Sequence, residues 1–117
     1  SGTSTSIATT YTVTVVSTGY GNKYAINGSQ QATVNLSEGS TYRFDQSDSS
    51  NSGHPLRFST TSGGTHSGGS QYTTGVTTNG TPGSSGAYTQ ITVAVGAPTL
   101  YYYCTNHSGM GGQANTP

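Results

Sequence analysis

The sequence predicts an all-β fold, a Greek-key β-sandwich of seven to eight short strands. Three observations carry this. Threonine alternates with valine, tyrosine and other apolar residues along several short runs, the period of a half-buried strand. Turn signals such as Asn27-Gly28, Glu38-Gly39 and Ala97-Pro98 separate those runs. No stretch carries the apolar period of a helix of useful length. Many short strands with frequent turns pack as two facing sheets. The 117 residues suit one domain and not two.

The elements follow in chain order. Residues 1–9 (SGTSTSIAT) are small and polar and read as a flexible N-terminal tail, leaving 10–117 as a single domain. Thr10–Ser17 is a strand with Tyr11, Val13 and Val15 on one face. A turn at Tyr20–Asn22 leads into a short strand, Lys23–Asn27, that stops at Asn27-Gly28. Ala32, Val34 and Leu36 alternate in the next strand, and Tyr42 and Phe44 in the one beyond Glu38-Gly39. Asp45–Gly53 is a loop. Its acidic residues, at 45 and 48, lack calcium-loop spacing and read as side chains that bond the turn backbone. His54, Leu56 and Phe58 share a face of the following strand. The segment 60–86, rich in Gly, Ser and Thr, is long for a connection. It reads as a functional or mobile loop, or hides a short strand near Gln71–Val76. Ala87–Val95 is the cleanest strand, Leu100–Cys104 the last, and 105–117 a Gly-rich loop and tail.

Composition closes several function classes. Only 5% of residues are charged, and Lys23, Arg43 and Arg57 balance Glu38, Asp45 and Asp48. Without a cluster of cations, no nucleic-acid partner is expected. Attachment to anionic lipid is unexpected for the same reason, and no apolar run nears the roughly 20 residues of a membrane helix. No leader segment is visible, so the chain is expected to be a mature or excised segment. Low charge and 28% hydrophobic residues also occur in disordered chains, but nine tyrosines, two phenylalanines and the strand alternation argue for a folded domain. Cys104 is the one cysteine, so an internal disulfide, c-type haem attachment and four-cysteine zinc sites are excluded.

The constellation with chemistry in it is Cys104-Thr105-Asn106-His107-Ser108-Gly109-Met110. It follows directly on a strand, and His54 opens another strand 50 residues upstream. One thiolate, two imidazoles and one thioether are the donor set of a type 1 copper centre. Thiolate and imidazoles in a near-trigonal plane suit Cu(I) and Cu(II) about equally. A weak axial thioether imposes little direction, so little moves when an electron arrives. Three donors within seven residues can wrap an ion only from a loop, and the fourth comes from a neighbouring strand. Strand parity groups Leu100, Tyr102 and Cys104 on one face and Tyr101 and Tyr103 on the other. Cys104 and His54 can therefore both point into the sandwich at one end.

The stretch YYYCTNHSGMGG, with its C-x2-H-x2-M pattern, resembles the cupredoxins, or blue copper proteins, in their short amicyanin-like form. GHPLRFS resembles the segment that carries their first histidine, and NLSEGSTYRFD the strand–turn–strand before it. The likeness spans roughly residues 22–113. It implies a cupredoxin-like domain over 10–117, with His54, Cys104 and His107 as equatorial ligands of one copper ion and Met110 as the axial one. It implies one-electron transfer without substrate turnover, hence no enzyme. His107 would be the electron port and Tyr103 a second path, with redox proteins docking briefly near His107. The expected location is extracytoplasmic: periplasmic, secreted, or on a virion or cell surface. Two features depart from the family. Pro55 stands where many members have a bracing asparagine, and it has no N–H to donate. Ser108 and Gly109 replace the proline and aromatic residues common around the exposed histidine. More loosely, the Gly/Ser/Thr-rich style resembles domains of marine phage and bacterial surface proteins.

Plainer readings stand beside these. Cys104 alone would be a small buried hydrophobe. Zinc is the rival metal, but a thioether is a poor zinc ligand. A Cys104–His107 nucleophile pair lacks a recognised signature. His66 reads as a solvated loop histidine, and Tyr101 and Tyr102 as sheet packing. Chance explains Asn-x-Ser/Thr at Asn27, Asn35, Asn79 and Asn106 in so Ser/Thr-rich a chain. Three histidines are too few for an additional catalytic copper site. The alternative function is a structural or display module of a larger virion or cell-surface protein, with copper serving stability or metal capture. The absence of a charged steering patch favours it.

Overall fold

Alternating residues form strands at most of the expected places, several of them shorter than expected. The strand over Ala32–Leu36 is only Val34–Asn35, and Ala87–Val95 is only Tyr88–Thr92. His54 stands just outside the strand it is expected to open, Leu56–Ser59. The structure, a computed structural model, describes residues 7–117. Its strands are β1 (Ile7–Thr18), β2 (Gly21–Ile26), β3 (Ser29–Gln30), β4 (Val34–Asn35), β5 (Thr41–Asp45), β6 (Leu56–Ser59), β7 (Gln71–Tyr72), β8 (Val76–Asn79), β9 (Tyr88–Thr92), β10 (Leu100–Cys104) and β11 (Gly112–Asn115). One-turn 3-10 helices occupy Ser49–Asn51 and Gly64–Ser67.

The strands form two mixed sheets, six strands in the order β3-β2-β1-β5-β9-β8 and five in the order β4-β11-β10-β6-β7. The chain changes sheet between β3 and β4, β4 and β5, β5 and β6, β7 and β8, and β9 and β10. Two neighbouring pairs, β1–β5 and β4–β11, are parallel and so cannot be hairpins. The fold is the expected all-β sandwich, and over-and-back connections of this kind are what Greek-key expectations describe.

Among the described residues the strand count is eleven rather than seven or eight, and the reason is length. β3, β4 and β7 hold two residues each, too few for alternation to register. Segment 60–86 contains the short strand expected near Gln71, a second strand β8, and a 3-10 helix. β11 lies inside 105–117, which the sequence reads as loop and tail. Ala114 is its one apolar residue, buried opposite Val34 and Leu100. The tail expected at 1–9 is likewise shorter: Ile7 and Thr9 pair with Thr41 and Tyr42 of β5. Backbone pairing, not side-chain pattern, makes that strand. Residues 1–6 of the expected tail lie outside the described residues.

The core offsets its low hydrophobic content with tethered tyrosines. Phe44 packs edge-on to Phe58 at 5.3 Å and against Tyr11 at 5.0 Å between ring centroids. Tyr24 and Tyr102 are fully buried, and their hydroxyls donate to the carbonyls of His54 at 2.7 Å and Ala32 at 2.6 Å. Each ring buries a large area while its polar tip stays satisfied. At Asn27-Gly28 both residues have positive φ, 50° and 85°, and a two-residue turn joins Ile26 to its partner Ser29. That geometry is why this dipeptide signals hairpins.

β6 and β10 are antiparallel neighbours, with Leu56 opposite Cys104. The start of β6 and the end of β10 therefore meet at one pole of the sandwich.

Candidate metal centre

His54 stands just before β6, at the exit of the Asp45–Gly53 loop. Asp45 and Asp48 in that loop accept from the backbone N–H groups of Ser47 and Ser50, the turn role expected of them. The imidazole is buried, and its main chain is held from three sides. His54 N–H donates to Asn51 O at 2.8 Å. His54 O accepts from Tyr24 Oη and from Gln46 Nε2, each at 2.7 Å. Gln46 is fully buried, as is Asn51. Its Nε2 also donates to Asn51 Oδ1 at 3.0 Å, and its Oε1 accepts from Leu56 N–H at 2.9 Å. Asn51 Nδ2 in turn donates to Val13 O at 2.8 Å. This network anchors the His54 loop to β1, β2 and β6.

Cys104 ends β10 with its side chain in the core beside Leu100 and Tyr102, as parity predicts. Its Sγ lies 3.6 Å from His54 Nδ1 and 3.8 Å from His107 Nδ1. Donor atoms of the three residues all lie within 4.8 Å of one another. A metal bonded to sulfur at about 2.3 Å and to nitrogen at about 2.0–2.1 Å, at tetrahedral to trigonal angles, holds S and N about 3.5–3.8 Å apart. The spacing therefore fits a metal ion, and His54, Cys104 and His107 form a group able to hold one. Burial, and secondarily the neighbouring His107, push the His54 pKa down. That shift favours the neutral ring, the form in which it binds metal. Burial, then the Cys104 sulfur, raise the pKa of Tyr24 and keep its hydroxyl protonated as a donor.

The two ligand stretches are stitched together where Pro55 lacks a donor. Thr105 N–H donates to Pro55 O at 3.2 Å, and Asn106 Nδ2 to Gly53 O at 2.9 Å. Beyond them His107 is exposed. Gly109 O accepts from Lys23 Nζ at 2.8 Å and Gln31 Nε2 at 3.1 Å, and Gln31 also reaches Gly111 O. Met110 is buried in the same apolar cluster as Cys104, and its carbonyl accepts from Tyr24 N–H at 2.9 Å.

Two residues make contacts that the sequence did not suggest. Tyr103 points away from the core cluster, and its ring is buried beneath the 3-10 helix Gly64–Ser67. Its hydroxyl is buried and meets no hydrogen-bond partner among the described residues. His66, read as a solvated histidine, is exposed yet has its Nε2 2.8 Å from Cys104 O. Sequence reasoning also missed Gln46, Asn51 and Tyr24. Gln46 carried a usable signal, because it continues the inward alternation of Tyr42 and Phe44 and is a polar residue at a core position.

No family model, no curated protein and no solved structure matches the chain.

Proposed function

We propose that the protein binds one copper ion in a type 1 site and transfers single electrons. The observation that carries this is the donor set: one buried cysteine sulfur within metal-bridging distance of two imidazole Nδ1 atoms. With the Met110 thioether as a fourth, weak donor, the set favours copper over zinc. Copper held there supplies a reversible Cu(I)/Cu(II) couple. The chain supplies the rest. Cys104 and His54 hold their donors in a buried pole that excludes water. The bonds of Gln46, Tyr24 and Asn106 limit how far those donors move. His107 offers its exposed ring edge to a redox protein that docks briefly there. The cleft beside it holds about 460 Å³ and is lined by Tyr20, Asn22, His66, Asn106 and Ser108, none formally charged with histidine neutral. No substrate is transformed. Cupredoxin membership and an extracytoplasmic location belong to the same proposal.

The uncharged cleft favours a second reading, in which copper serves stability or metal capture in a structural module of a larger surface protein. Adding Cu(II) to the apo-protein tests both. Intense thiolate-to-copper absorption, lost in Cys104→Ser, is expected, with rapid reversible reduction. A wild-type protein without that absorption defeats copper binding through Cys104. Slow or irreversible redox with melting that rises steeply with copper selects the structural reading.

A further inference from the structure

We propose that His66 is a positioning residue for the Cys104 ligand, acting through the Cys104 main chain. A carbonyl only accepts, so the 2.8 Å contact between His66 Nε2 and Cys104 O requires the proton on Nε2. Among the described residues, the ladders on either side leave that carbonyl without a strand partner. Opposite it, Leu56 donates its N–H to Gln46 and receives Thr89 Oγ1 at its carbonyl, so β6 does not hold Cys104 O. On the other side the β10–β11 ladder ends at Tyr102 and Gly112. His66 supplies the bond that both neighbouring strands leave out. It does so where β10 stops and the chain turns into the loop that carries His107. Fixing this peptide fixes the direction in which His107 departs relative to Sγ.

The surrounding segment is shaped to deliver that ring. The 3-10 helix Gly64–Ser67 lies on Tyr103: a Cβ at Gly64 would stand 2.5 Å from Tyr103 Cγ. The His66 ring meets the Tyr103 ring edge-on, with centroids 6.3 Å apart. Only glycine at position 64 lets the backbone lie this close to the strand, and that closeness is what brings His66 to Cys104. Outer partners of this kind orient ligands they do not themselves replace, and their loss commonly weakens metal binding about 10–100-fold.

The proposal rests on the reading of this site as a metal centre, not on copper in particular. The test uses Co(II), whose thiolate band and affinity report on Cys104 whichever metal is native. His66→Phe keeps an aromatic ring against Tyr103 and removes the donor, while His66→Gln keeps an N–H donor. Co(II) affinity is expected to fall about 10–100-fold in His66→Phe with a shifted thiolate band, and to recover in His66→Gln. Wild-type affinity and band in His66→Phe overturn the proposal. A second arm needs no variant and no metal: nitrogen NMR of wild-type apo-protein is expected to show His66 protonated on Nε2, and a neutral ring protonated on Nδ1 overturns the proposal. A wild type that binds Co(II) through Cys104 but stays colourless with Cu(II) ends the copper reading and leaves His66 judged by the Co(II) series. A wild type that binds neither metal overturns both.

Discussion

His54 and His107 face one sulfur atom from contrasting surroundings. His54 is buried, and its carbonyl is gripped by Tyr24 and Gln46, themselves fully buried. His107 is exposed, on a loop tied by side chains of Lys23, Gln31 and Asn106 that also reach solvent. The first stretch is held by bonds whose loss leaves unsatisfied groups in the interior. The second is held by bonds that water can replace. One side of the centre is thus held by buried bonds, and the other by bonds at the surface, the proposed His66 brace among them. The electron-transfer role proposed above would call for both, ligands kept still and an edge open to a partner.

Gln46→Leu tests the contrast hardest. It strands Leu56 N–H and Asn51 Oδ1 in the core and removes one of the two donors to His54 O. A loss of roughly 3 kcal/mol in apo-protein stability is expected from urea unfolding. A loss no larger than that of a surface substitution would erase the difference between the two sides. Tyr24→Phe is milder, about 1 kcal/mol, because Gln46 still serves the His54 carbonyl. If it proves costlier than Gln46→Leu, the tyrosine rather than the amide is the anchor.

Acid sharpens the contrast further. Burial first, then His107, depress the His54 pKa, so the folded chain resists a proton that the unfolded chain accepts near about pH 6.5. The His54 contribution to apo-protein stability is therefore fully present above about pH 6.5 and is lost as the pH falls towards the lower folded-state value. Urea midpoints that rise on acidification, once carboxylate effects are matched in a His54→Gln control, would reverse the sign. The smallest effect belongs to the exposed side. Asn106→Ala is expected to change stability by at most about 0.5 kcal/mol. Differential scanning calorimetry of apo-protein decides it, and a larger loss would mean that this loop too is part of the rigid frame.

Much of this was legible in the residues themselves. Alternation along TYTVTVVS, TYRFD and LYYYC located β1, β5 and β10, and the parity of LYYYC put Cys104 inside. Cys104, His107 and the distant His54 converge as their spacing led one to expect. The rest was hidden for identifiable reasons. β11 has one apolar residue and forms because backbone partners on both sides are available. The braces are ordinary polar residues whose meaning lies in what they meet. Gln31 reaches Gly111, 80 residues away, and His66 meets Cys104 across 38. No local pattern encodes contacts of that range.

The two-residue gap between Cys104 and His107 gives the centre an order of assembly. That pair is local and can meet in a largely unformed chain, at little loop-closure cost. His54 must wait until β6 lies against β10, a pairing between strands separated by β7, β8 and β9. Non-local β pairing of this type is slow, on the order of milliseconds to seconds. An ion captured early by the sulfur and its near neighbour would thus gain its third ligand only on completion of the sandwich, so full coordination reports a finished fold.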